Sequence, residues 1–67
     1  MTESVNFWKL KKVMESTTLS KSTIYAYIAE DRFPKPVSLG ARSVAWVESE
    51  INEWKAQQVA MRDEAAA

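Results

Sequence analysis

The chain has 67 residues, with nine lysines and arginines balanced by nine aspartates and glutamates, and it contains neither cysteine nor histidine. Folding at this length buries only about 60% of the extended chain's surface, which leaves little room for an internal substrate cavity. The missing side chains exclude disulfides, thiol nucleophiles, thiolate or imidazole metal sites and histidine acid–base chemistry, so no enzyme, cofactor, metal or small-molecule substrate is expected.

The opening "MTESVNFWKLKKVMES" is acidic and polar where a secretory leader would need a basic start and an apolar run. No stretch approaches the roughly 20 apolar residues of a membrane span. A soluble, cytoplasmic protein with no membrane partner is expected. Residues 1–6 read as a disordered N-terminus, 7–62 as one folded domain and 63–67 as a frayed tail.

Leu10, Val13 and Met14 follow the spacing of one helix face, predicting a short helix from about Leu10 to Ser16. Lys9, Lys11 and Lys12 crowd its start, against the positive end of the helix dipole, at a cost of about 0.3–1 kcal/mol each. That choice hints at an approaching anion, although solvated surface lysines give the same pattern. "STTLS" then forms a turn. Ser20 is a good N-cap, with Leu19 before it and Ile24 at the fourth helical position, the arrangement of a hydrophobic staple. A second helix is predicted from about Lys21 to Glu30. Advancing about 100° per residue, Ile24, Tyr27 and Ile28 share a buried face. Ser22, Thr23, Tyr25 and Ala26 look outward or sideways, giving a low, hydroxyl-bearing face flanked by Lys21.

In "RFPKPVSLGARSVAW", Pro34 and Pro36 drive Phe33 and Lys35 toward extended geometry. Val37 and Leu39 alternate with Ser38, and Val44 and Trp46 with Ala45, so two short strands, each with one buried face, form a hairpin. Gly40-Ala41-Arg42 joins them, with the chain's one glycine expected at positive φ and Arg42 near the tip. The last segment predicts a helix from near Glu48, with Glu48 and Glu50 suited to its first turn. Ile51, Trp54, Gln58 and Met61 share a face, and Trp54 is expected to be the keystone of the core.

Two short helices around a tight turn, a hairpin and a closing helix predict a mainly α fold with a small β-hairpin, a winged helix-turn-helix. In that geometry the second helix enters the DNA major groove by its N-terminal residues. Lys21 and Tyr25 would hold phosphates, Ser22, Thr23 and Ala26 would face base edges, and Lys35 and Arg42 of the wing would reach the neighbouring backbone or minor groove. The zero net charge argues against a DNA partner only superficially. Residues 1–47 hold seven cations against four carboxylates, +3, and residues 48–67 hold two against five, −3. Such asymmetry points to a charged partner, although in a short chain a few residues suffice to produce it.

At "VMESTTLSKSTIY", "RFPKPVSLG" and "AWVESEINEW" the chain resembles the AlpA family of small phage-type regulators, relatives of excisionase and MerR-type DNA-binding domains. The resemblance spans about residues 7 to 58, with three motifs in order. It implies a MerR-like winged helix-turn-helix that binds double-stranded DNA and regulates transcription in a prophage or genomic island, commonly promoting integrase expression and excision. It places the recognition segment on Lys21, Ser22, Thr23 and Tyr25, and the wing contacts on Lys35 and Arg42. Three positions depart from the family pattern. Thr18 and Asp31 stand where it usually has glycine, which bears on fold stability, and Ala26 where it often has arginine, so modest affinity and an altered sequence preference are expected. An excisionase-type directionality factor that bends attachment-site DNA stays open as an alternative, as does a protein-interaction adaptor on the same scaffold. Further copies of the chain on DNA, integrase and RNA polymerase are the additional partners considered, with the bacterial nucleoid as the place of action.

Overall fold

A computed structural model describes residues 5–66. The elements run β1 (Phe7–Trp8), α1 (Leu10–Thr17), α2 (Lys21–Ala29), β2 (Val37–Gly40), β3 (Ser43–Val47) and α3 (Glu48–Ala66). The expected helices and hairpin are therefore present, in the order of a winged helix-turn-helix. One element is additional. The two-residue strand β1 pairs antiparallel with β3, Phe7 opposite Val47 and Trp8 opposite Trp46, making β3 the centre of a three-stranded sheet in the order β1-β3-β2. Asn6, expected in a loose terminus, joins this arrangement. Its carbonyl accepts the Glu48 N–H at 2.8 Å and its side-chain amide donates to Glu48 Oε1 at 3.0 Å.

The central position of β3 changes which tryptophan anchors the core. Trp46, not Trp54, is the largest fully buried side chain, and it clusters with Val13, Ile24, Phe33 and Ile51. Trp54 is half-buried and packs against the cluster from α3. Gln58 and Met61 do not join the core at all. Every residue of α3 from Ala56 to Ala66 is exposed, so the helix outruns the domain. Its alanines and long polar residues are strong helix formers, which accounts for helix continuing through the tail expected to fray. Among the described residues no helix is long and apolar enough to cross a membrane.

Both helix-turn-helix boundaries are built on left-handed residues. Thr18, at φ 62°, ends α1 by donating its N–H to the Met14 carbonyl at 2.8 Å. Asp31, at φ 58°, ends α2 in a Schellman arrangement, with Asp31 N–H donating to Ile28 and Arg32 N–H to Tyr27. These are the two places where the family pattern has glycine. The chain keeps the backbone conformation with residues less suited to it, and the β-branched Thr18 suits it least. Gly40, by contrast, does not adopt positive φ. It pairs with Ser43 as the last rung of the hairpin, and Ala41-Arg42 alone forms the tip. The pairing slips by one residue between Ser38 and Gly40, and this bulge supplies the twist that a positive-φ turn otherwise provides.

Candidate nucleic-acid interface

The start of α2 is fixed by its cap. Ser20 Oγ accepts the Thr23 N–H at 3.2 Å and its hydroxyl donates to Thr23 Oγ1 at 3.0 Å. Thr23 is consequently half-buried and partly occupied by the cap, so it is the least free of the residues assigned to the recognition face. Lys21, Ser22 and Ala26 are exposed. Ala29 is exposed too and extends the Ser22–Ala26 stripe by a turn, a residue the helical spacing could have included. The stripe is short-sided along its whole length, which lets a helix approach the floor of a groove.

Tyr25 flanks the stripe in a double role. Its ring is 40% exposed, yet it meets the buried Trp46 ring edge-on at a centroid distance of 6.3 Å. Helix α2 is thereby braced directly against the central strand. Trp46 in turn donates its indole N–H to the Pro34 carbonyl at 3.0 Å, while Trp54 donates to the Arg32 carbonyl at 2.8 Å. Phe33 sits between these anchors, 5% exposed, with its ring 4.9 Å from that of Trp54. The Arg32–Pro34 corner is thus pinned by two indoles and a buried ring. That is how the aromatic-proline run orients the wing relative to α2.

The two wing cations are not equivalent. Arg42 stands exposed on the two-residue tip, and among the described residues its side chain has no ion pair or hydrogen bond. Lys35 lies two residues before β2, at the wing's base, with the whole of β2 between it and the tip. There it pairs with Asp31 at 3.3 Å. Lys35 therefore sits at the far end of α2 from Lys21 and Ser22, apart from the other assigned residues. The neighbouring Arg32 pairs with Glu30 at 2.9 Å and lies over the Tyr27 ring. Its hydrogen bond to the Glu30 carboxylate raises its pKa above the ordinary guanidinium value.

A cation outside the assigned set stands beside the wing. Lys9 Nζ donates to Ser43 Oγ at 3.3 Å, next to Arg42 in sequence. Lys12 and Lys55 approach the Trp8 ring, with Nζ to centroid distances of 5.4 and 5.8 Å, and Lys55 also donates to Ser16 Oγ at 2.7 Å. The lysines around α1 are thus partly engaged with the protein itself, with aromatic and hydroxyl partners rather than carboxylates. Among the described residues Lys9, Lys12 and Lys55 have no carboxylate partner, so these contacts leave their positive charge in place.

Residues 6–59 match the family model described as prophage CP4-57 regulatory protein (AlpA). The chain is 45% identical over 56 residues to the uncharacterized protein ORF88 of Enterobacteria phage P4, an alignment covering 84% of this chain and 64% of that protein. The chain thus spans less than two thirds of the phage protein's length. It is 34% identical over 61 residues to the DNA-binding transcriptional activator AlpA of Escherichia coli K12, covering 82% of this chain and 87% of the relative. By motif, fold and match over most of its length, the chain belongs to the AlpA family of prophage regulatory proteins.

Proposed function

We propose that this protein is a sequence-specific, double-stranded DNA-binding transcriptional regulator of a prophage or genomic island that controls integrase expression and excision. The observation that carries the reading is the exposed, low-profile Ser22–Ala26–Ala29 stripe on a capped helix, with Lys21 at its start and Arg42, without an ion pair among the described residues, on the wing tip. Lys21, Tyr25 and Arg42 position the protein on phosphates. Ser22 reads base edges by hydrogen bonding, and Ala26 meets a thymine methyl in place of a guanidinium contact. The relative named as a DNA-binding transcriptional activator supports an activating role.

Footprinting on DNA from around the chain's own gene and the nearest integrase gene, with an unrelated fragment as control, tests this. Protection of one short site, together with altered integrase-promoter output in a reporter strain, is the expected result. Uniform protection of all fragments, or none, would overturn the site-specific reading.

A further inference from the structure

Beyond the C-terminal end of α2, the Asp31–Lys35 corner and α3 enclose a groove of about 590 Å³. Pro34 and Trp54, with the edge of the nearly buried Phe33, give it one apolar wall, beside the polar Gln57 and Gln58. On the α3 wall stand Glu50 and Glu53, three residues apart and therefore on one side of the helix. The corner's own cations do not neutralise them, because Arg32 pairs with Glu30 and Lys35 with Asp31. Among the described residues neither Glu50 nor Glu53 has an ion-pair partner. A mixed groove with one aromatic wall, and two carboxylates without ion-pair partners among the described residues, disfavours phosphate and fits a cation carried on an apolar stem.

We propose that this groove docks an arginine-bearing segment of a partner protein, with the guanidinium between Glu50 and Glu53 and its stem or an apolar neighbour against Phe33 and Trp54. Arginine suits the site better than lysine because its planar, weakly hydrated fork bonds carboxylates in pairs and stacks on aromatic rings. A second copy of this chain is a poor donor. Its three arginines are Arg32, paired with Glu30, Arg62, paired with Asp63 at 2.9 Å, and Arg42 on the wing tip. The last exclusion rests on the DNA-binding reading, which commits Arg42 to DNA. The nine residues of α2 put the groove roughly 13 Å along the helix from Lys21, at the opposite end from the segment assigned to DNA.

The test titrates the isotope-labelled full chain, without DNA, with the blocked hexapeptide acetyl-Gly-Leu-Arg-Arg-Leu-Gly-amide, following the Trp54 indole N–H and the residue 50–53 amides by NMR. The indole signal is assigned from Trp54→Phe, and the control peptide carries glutamate in place of arginine. Expected are saturable shifts confined to the groove, absent with the control, and at least fivefold weaker binding in Glu50→Gln/Glu53→Gln at unchanged helix content. No saturable shift, or the same affinity in the double variant, overturns the proposal. So does a dimer mass by light scattering that the double variant abolishes, since the groove would then belong to a second copy. DNA affinity measured in parallel separates the two readings: it stays within twofold in the double variant whether or not the peptide binds.

Discussion

Trp46 and Arg42 stand near opposite ends of β3 and follow opposite rules. Trp46 is fully buried, its ring packed on both helices of the motif and its one polar atom bonded to the Pro34 carbonyl. Arg42 is exposed at the tip, with no side-chain partner among the described residues. One end of the strand is specified by what it already touches, and the other is exposed with no partner among the described residues. The difference teaches where stability and binding separate in a domain this small, and Tyr25 is the residue at which they meet.

The largest expected effect lies at the buried end. Trp46→Ala should cost about 3–5 kcal/mol, as large core truncations do. That is a major fraction of the stability of a small domain, so urea unfolding should show a largely unfolded population even before denaturant is added. Tyr25 blurs the division in an instructive way. Tyr25→Ala removes the edge contact with Trp46 and should cost about 0.5–1.5 kcal/mol as well as weakening DNA binding. Tyr25→Phe keeps the ring and should weaken DNA binding with its unfolding midpoint nearly unchanged. An equal loss of stability in both variants would place the hydroxyl, not the ring, in the fold.

A gain is expected at the turn between the helices. Thr18→Gly relieves a β-branched residue held at φ 62° and should stabilise the domain by about 1 kcal/mol. Asp31→Gly should gain less, because Asp tolerates that region better and its removal forfeits the exposed Lys35 pair, itself worth about 0–1 kcal/mol. The smallest effect belongs to Gly40→Ala. A Cβ there would meet only Ser43 Cβ at 3.9 Å, and no positive φ opposes it. Thermal unfolding should find the variant neutral or more stable by a few tenths of a kcal/mol.

The positions of the helices and strands were legible because their signals are local: the Ser20 cap, the Leu19–Ile24 staple and the prolines at 34 and 36. The alternation around Gly40 marked the two strands but not their burial, since β2 is exposed throughout and Ala45, not Val44, is buried with Trp46. What was not legible is set by contacts distant in sequence. Strand β1 is two residues long, too short for any periodicity, and exists only through its pairing with Val47 and Trp46. Without it β3 reads as an edge strand, which moves the keystone role from Trp46 to Trp54. Lys35 and Arg42 look alike as wing cations in the sequence, and only the fold shows one paired at the base and the other free at the tip. Gly40 shows the limit of reading backbone from residue type alone, since the bulge beside it supplies the twist expected of its conformational freedom.

The most direct test of the central claim compares the salt dependence of DNA binding in the wild-type protein and in Lys21→Ala/Arg42→Ala. Removing one phosphate interaction should reduce the slope of log affinity against log salt by about 0.9. The account predicts a slope shallower by roughly 2 in the double variant, with the unfolding midpoint unchanged. An unaltered slope would remove Lys21 and Arg42 from the interface, and binding indifferent to salt in the wild-type protein would contradict the DNA-facing surface altogether.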